Sequence, residues 1–390
     1  MTPAELSRTV RRAVCRAVED DALPGPVPER VMVERPRPGG RGDYATNIAL
    51  RLAGPAGRPP REVAEIVRAS ILRSAADAAD AGDHRSAADA APATSPCMAP
   101  GIDRIEITGP GFLNFTLARD SRVELVRTIL RAGPRYGHGD ALAGTSVLLA
   151  PSDEPRAALW TRTVVELLRT QGARAEIVPG AGAVERLRPV PAPADDDLFV
   201  RLGPDAARWG LLRPAVHDRP LTGADLLAQR ESNPLFRVRY AYARTRALAR
   251  NAAHLGITPD RARAPIPAPT PDAPPIPEIS EISGITEITD PVPEITTDPG
   301  GATALLLTAL GDHPTVLEAA ARLRAPDRLA RHLEQTADAF LRFQETCRPL
   351  PLGDEKPSAA HRSRLALADA TGTVLAGGLS LLGIDAPAYL

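Results

Sequence analysis

Asn233-Pro234-Leu235-Phe236-Arg237-Val238-Arg239-Tyr240-Ala241-Tyr242-Ala243-Arg244-Thr245-Arg246-Ala247-Leu248-Ala249-Arg250 is the stretch from which the architecture can be read. Asn before Pro is a helix-opening pair: an Asn side chain accepts orphan backbone N–H groups, and Pro at the first helical position gives up a donor that would have no partner. Val238, Ala241, Thr245, Leu248 and Ala252 then recur at helical spacing as one apolar stripe, with Arg237, Tyr240 and Arg244 beside it at i, i+3 and i+7. Arg237, Arg239, Arg244, Arg246 and Arg250 combine with Tyr240 and Tyr242 to give phosphate-neutralising charge and rings able to stack on unpaired bases, as RNA-loop binding requires. An arginine-rich solvated face is the competing explanation.

From this helix to the C-terminus the pattern stays helical, at Leu305–Leu310, Thr315–Leu323, Asp327–Cys347 and Ser363–Leu382. An all-α bundle over 201–390 is expected, interrupted at 259–301 by a Pro-rich acidic insertion that repeats Glu-Ile-Ser/Thr and reads as disordered. Upstream, 1–120 reads as an α+β domain. It has an amphipathic helix with Leu6, Val10, Val14 and Val18, a strand near Arg30–Glu34, helices near Ala45–Leu52 and Arg61–Leu72, and strands at Ile102–Thr108 and Gly111–Leu117. A low-complexity insertion occupies 74–100, repeating Ser-Ala-Ala-Asp-Ala-Ala. Between the two domains, 121–200 holds a connector and one β-α-β unit: strand Ser146–Ala150, helix Glu154–Thr170, strand Ala175–Val178. One such unit is too little for an open parallel sheet with a ligand crevice.

Composition agrees with a multidomain chain carrying linkers. At 390 residues it is too long for one ordinary core, and 41 Pro and 30 Gly against 3% aromatic residues mean that part of the length cannot offset its chain entropy by burial. All basic residues but Lys356 are Arg, which excludes any mechanism needing two lysines. The net charge of −1 conceals a basic stretch at 201–256 followed by an acidic one at 257–300. Cys15, Cys97 and Cys347 are far apart, without C-x-x-C pairing, so neither a disulfide framework nor a zinc site is indicated, and a cytoplasmic setting fits. The aliphatic run Leu305–Leu307 is far too short to span a bilayer.

Catalytic signatures are sparse. The seven histidines, 84, 138, 217, 254, 313, 332 and 361, form no H-x-G-H or H-E-x-x-H pair and read as scattered surface residues. Gly180 and Gly182 suggest the start of a dinucleotide loop, but Glu185 stands at the third glycine position, where it would repel a pyrophosphate. There is no G-x-x-x-x-G-K-[ST], and Asp195–Asp197 reads as a solvated acidic loop. No catalytic residue, cofactor or metal is expected.

Three separated segments resemble class I arginyl-tRNA synthetases. Gly42-Asp43-Tyr44-Ala45-Thr46-Asn47, Pro60-Arg61-Glu62-Val63-Ala64 and Gly109-Pro110-Gly111-Phe112-Leu113-Asn114-Phe115 are similar to the N-terminal domain that in this family packs on the tRNA elbow and reads a D-loop base. Asn233-Pro234 through Arg244 resembles the helix opening the anticodon-binding bundle, and Asp205-Ala206-Ala207-Arg208 its D-A-L-R signature. Cys347-Arg348, Arg364-Leu365-Ala366-Leu367 and Gly378–Pro387 resemble the end of that bundle. The resemblance departs in the middle: Ser152-Asp153-Glu154-Pro155 through Arg169 stands where the catalytic domain's first strand and helix belong, without the histidine pair, and the lysine loop has no counterpart.

The resemblance therefore implies a truncated paralogue, with a vestigial Rossmann-like β-α-β between two tRNA-recognition domains, that binds tRNA without charging it. Its implied tRNA contacts are Tyr44, Asn47, Arg237, Tyr240, Arg244, Phe343 and Gln344. The implied partner is tRNA, arginine-specific in the narrower version, with a protein partner as a further candidate and no DNA or membrane. Two other readings stay open. The fold is kept as a protein-interaction or regulatory module, or arginine-tRNA ligase or another tRNA-dependent activity is completed by a partner chain.

Overall fold

The computed structural model describes residues 2–28, 31–36, 41–82, 101–117, 119–179, 185–193, 197–259 and 301–390. Cys97, His84, Gly180, Gly182, Asp195, Asp196, residues 83–100 of the first insertion and residues 260–300 of the second lie outside them. Among the described residues the protein is mostly helical, with a few short strands.

The N-terminal unit builds a small core. Helix α1 (Pro3–Glu19) opens on a reciprocal cap in which Thr2 Oγ1 accepts from Glu5 N at 3.2 Å and Glu5 Oε2 accepts from Thr2 N at 2.7 Å. Its stripe of Leu6, Val10 and Val14 meets α2 (Ile48–Ala56), α3 (Pro60–Gly82) and an antiparallel sheet of order β1-β3-β2, with β1 Tyr44–Thr46, β2 Ile102–Thr108 and β3 Phe112–Leu117. Phe115 is fully buried at its centre. Two glycines fix the close approaches: a Cβ on Gly42 (φ +85°) would lie 2.8 Å from the Phe115 carbonyl oxygen, and one on Gly111 (φ +145°) 2.7 Å from that of Pro60.

Some local expectations are corrected here. Of the strand expected near Arg30–Glu34, residues 31–34 are described and contribute one bridge, Glu34 to Ala45, rather than a strand; Pro36 removes a nearby ladder donor. Tyr44–Thr46 is strand, not helix, because it pairs with β3, Tyr44 against Phe115. Helix α3 runs well past Leu72, to Gly82, through the first Ser-Ala-Ala-Asp-Ala-Ala.

A second, larger core spans the rest. Helix α4 (Arg119–Ala132) leads to the parallel pair β4 (Ser146–Leu149) and β5 (Arg174–Ile177), joined by α5 (Pro155–Thr170). The bundle follows as α6 (Leu198–Leu212), α7 (Pro234–His254), α8 (Ala302–Arg322), α9 (Pro326–Thr346) and α10 (Ala359–Leu381). Trp160 of α5, Trp209 of α6 and Phe340 of α9 sit in one continuous hydrophobic cluster, so the β4–α5–β5 unit shares the bundle's core. Helix α6 kinks at Gly203 (φ 71°), just before Pro204.

The two helices expected at Leu305–Leu310 and Thr315–Leu323 are one. Pro314 lies inside α8 and cannot donate to the carbonyl of Leu310, but the Tyr136 hydroxyl donates to that oxygen at 3.0 Å, so the helix continues without an orphaned acceptor.

Candidate nucleic-acid interface

Asn233 sets the entry of α7. Its Oδ1 accepts from Leu235 N at 3.1 Å, while Nδ2 donates to the carbonyls of Leu226 (2.7 Å) and Ala228 (2.9 Å), tying the helix start to the preceding loop. Leu235, Val238, Ala241, Thr245, Leu248 and Ala252 are buried against α9 and α10, which fixes the faces presented by the arginines and tyrosines.

Most of the arginine charge on α7 is spent within the bundle. Arg237 Nε lies 3.1 Å from Asp338 on α9, Arg239 3.6 Å from Asp205 on α6, and Arg246 3.6 Å from Asp369 on α10. Arg250 donates to the Ala388 carbonyl at 3.3 Å and stacks 4.0 Å over the Tyr389 ring. Such half-exposed pairs contribute little stability each, but every carboxylate offsets one charge that an RNA phosphate would otherwise neutralise.

Arg244 differs. It is exposed, and its Nε donates to the neutral Oε1 of Gln344 at 3.0 Å, so its charge is oriented but not cancelled. One turn earlier Tyr240 is 41% exposed, and one turn before that Phe236 stacks on it with ring centroids 5.8 Å apart and planes 20° from parallel. Residues 236, 240 and 244 share one line along the helix, four apart. The result is an aromatic ledge ending in an amide-held guanidinium: rings for base stacking, a cation for phosphate, and an amide edge for base hydrogen bonds. Phe236 is the member of this ledge that sequence reading misses, although its i, i+4 spacing to Tyr240 is a usable signal.

The remaining expected contacts distribute unevenly. Phe343 is fully buried beside Phe340, centroids 6.4 Å apart; it supports the helix that presents Gln344 and offers no surface of its own. Tyr44 is 6% exposed: it lies against α8 at Gly311, with the Arg35 guanidinium 5.8 Å from its ring centre. Burial and the nearby Asp312 push its hydroxyl up to about 12. Asn47 is exposed at the start of α2 and makes no capping bond there.

At the end of β4 the local chemistry is closed by the chain itself. Glu154 caps α5, accepting from Arg156 N at 3.1 Å, Ala157 N and Ala192 N at 2.9 Å, so a carboxylate already occupies the helix N-terminus that in dinucleotide folds receives phosphate. Arg156 is fully buried and uses all five of its N–H groups on backbone carbonyls, those of Leu211, Val190, Asp218, Pro214 and Ala215, at 2.7–2.9 Å. Glu185 pairs beside Leu149 and is gripped by Arg324 at 3.0 Å.

Three histidines expected at the surface, His313, His332 and His361, are buried. His313 stacks on Tyr136 (5.8 Å) and against His332 (5.3 Å), and burial pushes His313 well below the ordinary imidazole range and His332 down to about 4. They pack as neutral rings. Among the described residues no group of three or more His, Cys, Asp and Glu side chains is placed to hold a metal ion, and no helix is long and apolar enough to cross a membrane.

Comparison with known proteins finds the C-terminal part of the bundle similar to an anticodon-binding domain and the N-terminal unit similar to a tRNA synthetase domain. Residues 277–390 match the DALR anticodon binding domain and residues 4–79 the arginyl tRNA synthetase N terminal domain. An arginine–tRNA ligase of Frankia alni is 26% identical over 603 positions, covering 99% of this chain and 100% of the relative. Arginyl-tRNA synthetases of Thermus thermophilus (TM-score 0.61, 12% identity, all of both chains) and Plasmodium falciparum (TM-score 0.57, 8% identity, 100% and 99%) share the fold. The chain is thus similar to arginyl-tRNA synthetases at both its N-terminal unit and its bundle, and its 390 residues stand against an alignment of 603 positions.

Proposed function

We propose that this protein binds the anticodon arm of tRNA, arginine tRNA in the narrower version, and does not aminoacylate it. The observation that carries the reading is the ledge of Phe236, Tyr240 and Arg244, with Gln344 of α9 beside it: Tyr240 and Arg244 are exposed on a helix where Arg237, Arg239 and Arg246 are already paired with carboxylates. In this reading 1–120 is the family's N-terminal domain, 121–200 a connector with a vestigial Rossmann-like β-α-β, and 201–390 the anticodon-binding bundle of a cytoplasmic paralogue.

Loss of catalysis is supported by what fills the β4–α5–β5 unit. Adenylation needs cations and donors placed on developing phosphate charge. Here Glu154 sits on the first turn of α5, Arg156 is committed to five carbonyls, and neither the histidine pair nor a second lysine exists in the sequence.

The test is fluorescence anisotropy with labelled tRNA. Tyr240→Ala is expected to cost ~1–3 kcal/mol of affinity by removing a stacking platform. Arg244→Ala is expected to weaken binding and to flatten the dependence of log K on log salt by about 0.7, one single-strand phosphate contact. Stable variants with wild-type tRNA affinity would remove this reading in favour of a protein-interaction module. ATP–pyrophosphate exchange above background, lost on substitution of a residue within 146–200, would overturn the non-catalytic part.

A further inference from the structure

The motif that the resemblance assigns to the tRNA elbow is consumed by the fold. In Gly42–Asn47, Asp43 Oδ2 accepts from Leu117 N at 2.7 Å, Thr46 is buried and donates to the Met32 carbonyl at 2.6 Å, and Gly42 is pressed on the Phe115 backbone. Tyr44, the one large side chain of the motif, is directed into the joint between the N-terminal unit and α8. There Arg35 covers its ring and reaches Asp312 at 3.7 Å, next to Gly311. On the same helix, the Tyr136 hydroxyl holds the Leu310 carbonyl. Only Asn47 of the motif's polar side chains stays exposed.

The separation of the units points the same way. The alignment with the relative runs over 603 positions against the 390 residues of this chain, and here α1 and β1 pack directly on α8. A face built to meet the elbow while the bundle holds the anticodon has to stand well away from the bundle. In this chain it is docked upon it.

We propose that recognition runs through the bundle face alone: the RNA ligand is a stem-loop, and the N-terminal unit is a brace whose Tyr44 is a joint residue rather than an RNA contact. This rests on the anticodon-arm reading of the Tyr240 face. A brace adds no second contact, so the rest of the tRNA contributes nothing to affinity.

The experiment compares, on the full chain, an arginine tRNA transcript with the isolated anticodon stem-loop of the same sequence. The two dissociation constants are expected to agree within about threefold, because a genuine second contact would add roughly 10²–10⁴-fold through effective concentration. Asn47→Ala is expected to leave both unchanged, and Tyr44→Phe to lower the melting temperature with RNA affinity intact. A stem-loop bound 100-fold or more weakly than the transcript, with Asn47→Ala or Tyr44→Phe closing the gap, would overturn the proposal while leaving the anticodon reading in place. Failure of both RNAs to bind would overturn that reading, and this proposal with it.

Discussion

Replacing Arg156 by Lys tests a fully buried side chain whose every donor is used. The guanidinium donates one hydrogen bond from Nε, two from Nη1 and two from Nη2, all at 2.7–2.9 Å to main-chain oxygens, and has no surface exposure. An ammonium keeps the charge but has three donors on one atom, so at least two of the five carbonyls lose their partner. A buried acceptor left without a partner costs ~1–3 kcal/mol, and the planar fork that spans from Leu211 to Val190 cannot be reproduced by a single nitrogen. The expected loss is therefore ~2–6 kcal/mol, a large share of the stability of an ordinary domain. Urea unfolding followed by far-UV circular dichroism would register it as a lower midpoint at unchanged slope. Because four of the five acceptors lie in 211–218, at the end of α6 and just beyond it, the same variant should expose the loop after that helix to proteolysis first. An Arg156→Lys protein within about 1 kcal/mol of the parent, the low end of the cost of one lost acceptor, with the loop still protected, would refute the saturated-guanidinium account.

Two other consequences concern the bundle core. Tyr136→Phe should cost about 1–2 kcal/mol where Pro314 has orphaned the Leu310 carbonyl, and much less in a Pro314→Ala background, where the restored backbone N–H takes that oxygen; equal costs in the double-mutant cycle would reject the pairing. His332 is held down to about 4 by burial, against about 6.5 when exposed, so the unfolded chain binds the proton first as pH falls. Stability is then fully present above about pH 6.5 and should fall by ~2 kcal/mol by pH 5, with His313 adding in the same direction. Urea midpoints at pH 7.5 and 5 for the parent and His332→Phe measure this, and an unchanged pH dependence in the variant would show that the imidazole is not responsible.

Taken alone, the sequence determines most of the elements and carries the resemblance to arginyl-tRNA synthetases. The Asn233-Pro234 cap, the α7 stripe and the Gly42 and Gly111 turns depend on short-range rules, capping geometry, 3.6-residue periodicity and glycine's access to positive φ, and these are written locally. The missing histidine pair and lysines are likewise facts of the chain itself. Tertiary structure decided everything that depends on which residues meet across a distance. Pairing with Asp205, Asp338 and Asp369 takes most of the apparent charge off the Arg/Tyr helix, and nothing within 233–250 announces those carboxylates. Tyr44 and Phe343 look like surface aromatics in a motif, yet one fills a joint and the other a core, because burial follows from neighbours distant in sequence. Pro314 reads as a helix breaker until Tyr136, 174 positions upstream of Leu310, supplies the hydrogen bond that proline cannot.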